Sequence, residues 1–138
     1  MYGLLDISTS GMVAQRTRME TISANIANAN TILDSEGRVN PFRRRIAHFA
    51  AGSPGSGTET GRALGVHVAE IEADENAVRK RWMPGSPYAD ADGYVPFPDI
   101  DPLKEQVNAM EAARSYEANV AAAETTKTML AQALRLLA

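Results

Sequence analysis

Asp90-Ala91-Asp92-Gly93 is the segment whose residue types and spacing most nearly describe a chemical site. An EF-hand calcium loop sets acidic ligands at alternating positions ahead of an obligatory glycine. With Gly93 in that glycine's place, Tyr88 stands at the first ligand position, where a carboxylate is needed, and Asp99 stands where a longer bidentate Glu is usual. The register fails, and no calcium site is expected. His48 and His67 are the only histidines, and there is no cysteine. A zinc site would therefore have to recruit carboxylates from separate strands that show no ligand spacing, so both are expected to be partly exposed strand histidines. The absence of cysteine also excludes disulfides and thiolate nucleophiles. Neither Gly-rich segment opens a helix after a strand, no lysine sits where a phosphate loop needs one, and no serine has nameable triad partners. The expectation is a protein that is not an enzyme, with no catalytic or metal-binding residues, no cofactor and no small-molecule substrate.

Arg43-Arg44-Arg45 and Arg79-Lys80-Arg81 are the two basic runs. Alternation along a strand would split each between two faces, so both are expected on a solvated strand surface or steering contacts between subunits. A formal net charge of -3 and a pI near 5.4 give no reason to expect nucleic acid.

The elements that would position anything are the two chain ends. From Leu4 to Ala29, Leu5, Met12, Met19 and Ile26 recur every seven residues with Ile22 and Ala29 between them, the period of a coiled-coil seam that Ser8 and Gln15 weaken. From Asp101 to Ala138, Leu103, Val107, Met110, Ala113, Tyr116, Val120, Ala123, Leu130, Leu134 and Leu137 follow three- and four-residue steps interrupted by Lys127. Asp101 suits the N-cap of that helix, Pro102 its first position and Glu105 its opening turn. Stripes this narrow cannot enclose a core, so each helix must find an apolar partner at the other chain end or on a neighbouring molecule. With 138 residues one core is expected. No window approaches the roughly 18 apolar residues of a membrane helix, and the start Met1-Tyr2-Gly3-Leu4-Leu5-Asp6 lacks the pattern of a cleavable signal peptide.

The middle differs. Pro41 to Ala50 reads as one strand, and Leu64, Val66, Val68 and Ile71 as a second that pairs with it in a hairpin. Gly52 to Thr58 reads as a weakly ordered linker and Asp74 to Lys80 as a turn. Five prolines and two glycines from Pro84 to Pro102 predict an extended connector. The predicted fold is mainly α with a small β insertion: N- and C-terminal helices pair as a coiled-coil-like core around a β-hairpin-rich middle segment. Its parts are an assembly helix at 1–31, a β-rich insertion with Gly/Ser and Pro-rich loops at 32–99, and a second assembly helix at 100–138.

Two segments are specific. Ser23-Ala24-Asn25-Ile26-Ala27-Asn28-Ala29-Asn30-Thr31 resembles the N-terminal motif of the bacterial flagellar rod and hook family. Gly93-Tyr94-Val95 through Asp101-Pro102 to Tyr116-Glu117-Ala118-Asn119 resembles that family's C-terminal motif. The short length and compact middle are similar to the proximal-rod members and unlike the longer distal-rod and hook members. The resemblance implies a structural subunit exported through the flagellar type III apparatus without a cleaved signal. It would polymerise into the periplasmic rod of the basal body, partnered by itself and by FlgB, FlgF, FlgG and FliE. Another rod member such as FlgB, or an unrelated helical protein-binding module, is the alternative. Leu5, Met12, Met19, Ile22, Ile26, Leu103, Val107, Met110, Tyr116, Val120, Leu130, Leu134 and Leu137 are the expected assembly interface. Ala24, Asn25, Asn28, Thr31, Gly93, Tyr94, Tyr116, Glu117 and Asn119 carry the family motif. Asn25 and Asn28, like Tyr116 and Asn119, lie three apart on a helical face and are expected to serve packing and register, with Asn28 and Asn30 helping the chain leave the helix.

Overall fold

A computed structural model describes the backbone of residues 2–137 and the side chains of residues 3–136, so the side chain of Leu137 lies outside the described residues. Helix α1 (Tyr2–Ala27) and helix α3 (Pro102–Leu137) run antiparallel and pair along the length of α1, making the largest packed interface among the described residues. At about 1.5 Å per residue, the 36 residues of α3 span about 54 Å against about 39 Å for the 26 of α1. The start of α3 is as the residue types predict: Leu103 N–H donates to the Asp101 carboxylate at 3.0 Å and Glu105 N–H to the Asp101 carbonyl at 3.1 Å.

Strands β1 (Arg45–Ala51) and β2 (Val66–Ala73) form the expected antiparallel hairpin and pack on α1. Between them a short helix α2 (Glu59–Leu64), capped by Thr58, takes up Leu64, so the strand begins two residues later than the apolar alternation suggests. The Gly52 to Thr58 stretch is tied down rather than loose. Ser56 and Thr58 hydroxyls donate to the Asp6 carboxylate on α1 at 3.0 and 2.6 Å.

The expected turn at Asp74 to Lys80 is shorter, and the connector is not merely extended. Strands β3 (Val78–Trp82) and β4 (Tyr94–Pro98) form a second antiparallel hairpin. Pro96 and Pro98 sit opposite Lys80 and Val78, two residues apart on one strand. Among the described residues β4 has β3 as its sole partner in a two-stranded sheet, so it is an edge strand, where prolines that lack a donor can be carried on the unpaired side. Composition alone cannot reveal that arrangement. Val95, Pro98 and Ile100, all at 2% exposure or less, make the small core under this hairpin.

Asp34 and Asp90 build the same turn twice. In each, one carboxylate oxygen accepts from the backbone N–H two and four residues on, Glu36 and Arg38 in the first and Asp92 and Tyr94 in the second, at 2.8 to 3.1 Å. Gly37 and Gly93 occupy the left-handed position with φ of 77° and 80°. Asp90-Ala91-Asp92-Gly93, which imitates a calcium loop in sequence, is thus a self-satisfied turn. The backbone donors hold both carboxyls below the usual carboxylate range.

Candidate assembly site

Three elements meet at Asn25, Arg44, Arg45 and Glu105. Asn25 is 1% exposed. Its side-chain amide donates to the Arg45 carbonyl at 2.8 Å and accepts from the Arg45 N–H at 2.8 Å. One side-chain amide therefore treats the end of β1 as a neighbouring strand would. The same amide donates to Glu105 Oε2 on α3 at 3.0 Å. The other oxygen, Glu105 Oε1, accepts from Arg44 Nε at 2.9 Å and Nη2 at 2.8 Å. Glu105 is buried while the Arg44 side chain is about one-third exposed. A buried carboxylate needs both a counter-charge and hydrogen bonds, and this one has both. The network locks α1, β1 and α3 in one orientation. Sequence reading assigned Arg44 to a solvated strand face and Glu105 to the helix dipole. Neither role reveals the pairing, because the residues lie 61 apart.

The seam between the helices is lined by small and polar residues. On α1 the buried positions include Ser8, Gly11, Ala14, Ile22 and Asn25, and on α3 Glu105, Ala112, Ala123 and Thr126. A methyl group at Gly11 would lie 2.7 Å from Asn119 Oδ1, so glycine makes room for the Asn119 side chain between the helices. Buried hydroxyls are satisfied by their own helix, as Thr21 to the Thr17 carbonyl at 2.8 Å and Thr126 to the Ala122 carbonyl at 2.9 Å. Arg18 and Glu111 bridge the two helices at 3.5 Å.

Leu5, Met12, Met19 and Ile26, expected to centre the seam, are half-buried along its flank, and the intervening heptad row of Ser8, Gln15 and Ile22 faces inward. Close backbone approach selects the small residues for the centre and turns the large ones aside. On α3, Leu103, Val107, Met110, Met129, Leu134 and Leu136 are all more than half exposed, as is Val13 on α1. Ala113, Tyr116, Val120 and Leu130 are half-buried. With Gly11 beside Asn119, the antiparallel register sets Gly3 opposite Lys127, and α3 from residue 129 onward runs past the start of α1.

Residues 5–32 match the family model "Flagella basal body rod protein" and residues 91–136 match "Flagellar basal body rod FlgEFG protein C-terminal". The chain is 38% identical over 137 residues to the flagellar basal-body rod protein FlgC of Yersinia enterocolitica, covering 99% of this chain and 97% of that one. It is 37% identical over 142 residues to FlgC of Bacillus subtilis, covering 96% and 95%, and 40% identical over 127 residues to FlgC of Aquifex aeolicus, covering 92% and 90%. The chain belongs to the FlgC family. It is a structural subunit of the flagellar basal-body rod.

The two rod-protein family matches cover the helical pair of this FlgC-family chain, and the motif residues divide by role. Asn28 terminates α1, its amide donating to the Ala24 carbonyl at 2.9 Å while its oxygen accepts from Thr31 at 3.2 Å. Asn25 instead reaches 20 residues away to β1. Asn119 bonds locally to the Ser115 carbonyl at 2.9 Å and fills the space left by Gly11. Tyr116 is half-buried one turn from it, whereas Glu117 is exposed. Gly93 supplies the positive φ that returns the chain into Tyr94 and β4. Asn25 and Glu105 lie outside the apolar positions of the two stripes, and nothing in their local sequence pairs them across 80 residues.

Proposed function

We propose that this subunit polymerises through its two terminal helices into the proximal rod, where it carries torque across the periplasm and performs no catalysis. The carrying observation is the inverted distribution of side chains on the helical pair: small and polar residues inside, large apolar ones outside. Exposed apolar rows of this extent mark a surface meant to be covered. Leu103, Val107 and Met110 form one row on α3 beside an open cleft of about 640 Å³ between the helix start and Asp74–Ala77. On its overhanging end Met129 and Leu136, seven residues apart, share one exposed face and Leu134 is exposed on another. Covering each of these six side chains returns about 1 kcal/mol or more.

The cover is supplied by neighbouring rod subunits, copies of this chain together with FlgB, FlgF, FlgG and FliE, after delivery by the flagellar export apparatus. The contact is heterologous, because the overhang differs from the surface it meets, and an open helical array follows. Ile26, Met19, Met12 and Leu5 flank the intramolecular seam and would bury fully only within the array.

A deletion strain complemented with Leu134→Asp tests the reading. Leu134 is 59% exposed, so the variant monomer should melt as the wild type does, while basal bodies lack a complete rod and cells do not swim. Normal swimming of that strain would overturn assembly through the α3 face.

A further inference from the structure

We propose that the tip of the β3–β4 hairpin docks on the outer half of β2 in a second copy of this chain, joining subunits head to tail through their β-modules. This contact rests on the rod reading above but involves neither terminal helix. The hairpin tip is apolar and aromatic where water should favour polarity. Trp82 is 65% exposed, Met83 41%, and Tyr94, which faces Trp82 across the strands, 39%. Trp and Tyr are the side chains that most often anchor protein contacts. The tip is also ordered before any contact forms. Asp90 accepts from Asp92 and Tyr94 N–H, Asp90 N–H donates to the Tyr94 carbonyl at 2.8 Å, and Met83 N–H donates to the Gly93 carbonyl at 2.9 Å. An ordered tip loses little conformational freedom on docking.

Charge decides the occupant. β3 carries Arg79, Lys80 and Arg81 with no acidic residue. The Arg81 guanidinium lies over the Phe97 ring, 4.6 Å from its centroid, and makes no ion pair among the described residues. The matching surface is on the same molecule. β2 and the turn after it, residues 66–76, hold Glu70, Glu72, Asp74 and Glu75 with no Lys or Arg. Ile71, which strand alternation sets on the opposite face of β2 from the two strand carboxylates, is 48% exposed, so the outer half of the strand is open on both faces. Among the described residues no ion pair links β3 to β2 within the chain: Lys80 pairs weakly with Asp90 at 3.4 Å, and Glu72 with His48 at 2.8 Å. The two hairpins form separate sheets. A cationic aromatic projection and an acidic apolar strand, unpaired within one copy, complement each other between copies. Because the two surfaces differ, the contact propagates and does not close into a dimer.

The chain has no cysteine, so introduced thiols report this contact alone. Purified Met83→Cys mixed with Ile71→Cys under mild oxidation should cross-link about tenfold faster than Met83→Cys mixed with Ala63→Cys, which is exposed on α2 at the other end of β2. Adding Arg81→Glu to the first protein should slow the reaction, and adding Glu72→Arg to the second should restore it. Equal rates for the Ile71 and Ala63 pairs would overturn the proposal, as would a charge exchange without recovery. In isolated basal bodies, capture of a different rod protein by Met83→Cys would equally overturn the assignment to a second copy. Normal swimming without the Ile71–Met83 link refutes this contact and leaves the helix-driven rod intact, whereas swimming by the Leu134→Asp strain refutes the latter.

Discussion

Replacing Asn25 with Ala should cost this fold more than any other single polar truncation on α1. The change removes two hydrogen bonds to the Arg45 backbone at 2.8 Å and one to the Glu105 carboxylate at 3.0 Å. A neutral bond is worth about 1 kcal/mol net and one to a charged group about 1.5–3 kcal/mol. The sum is about 4 kcal/mol, reduced somewhat because Arg45 is exposed and water can reach its freed peptide groups. We expect a loss of about 3–4 kcal/mol, a large share of the roughly 5–15 kcal/mol that stabilises a domain. In urea, with a slope of about 2 kcal/mol/M, the midpoint followed by far-ultraviolet circular dichroism should fall by roughly 1.5–2 M. Asn25→Asp is the informative control, because it keeps the shape and sets a carboxylate against Glu105 and the Arg45 carbonyl. It should be at least as damaging as Ala at neutral pH. A loss below about 1 kcal/mol for Asn25→Ala, or wild-type stability for Asn25→Asp, would refute the clamp as the joint between helices and β-module.

Arg44→Ala strands the buried Glu105 carboxylate with Asn25 as its remaining side-chain donor, and should lower stability by about 3–5 kcal/mol in the same urea titration. Gly11→Ala brings a methyl group to 2.7 Å from Asn119 Oδ1. Better helix propensity returns about 1 kcal/mol, overpacking costs about 1–3 kcal/mol, and thermal melting should show a net loss. The carboxyls of Asp6, Asp34 and Asp90 are all held below their ordinary value of 3.8, Asp6 by the hydroxyls of Thr58 and Ser56 and the other two first by backbone N–H groups. A depressed folded pKa stabilises the native state above the unfolded value and loses that contribution as pH falls through the folded one. Stability should therefore be flat in this respect above about pH 5 and decline below about pH 4, and Asp90→Asn should flatten part of that decline in melts taken from pH 6 to pH 2.

Local signals were legible where local physics acts. The Asp101–Pro102 start of α3, the β1–β2 hairpin and the exit from α1 at Asn28 all rest on contacts within a few residues or on strand alternation. The second hairpin was hidden because its prolines forbid a central strand and say nothing against an edge strand. The linker from Gly52 to Thr58 looked loose because its anchor, Asp6, lies about 50 residues earlier.

The amino-acid sequence by itself determined two long amphipathic ends around a β-rich middle, the absence of cysteine chemistry, and the resemblance to the rod family. Periodicity and composition are properties of neighbouring residues, and they survive without a fold. Only the tertiary structure decided which row of each helix turns inward. A heptad pattern marks several rows as apolar, but the row that turns inward carries the small side chains, among them Gly11, Ala14, Ala112 and Ala123, which let two helices pack closely. That choice leaves Leu103, Val107, Met110 and Leu134 outside, and places Asn25, Arg44 and Glu105 together from three distant segments. Pairings across 61 and 80 residues depend on how the elements cross, and nothing in the local sequence records that angle.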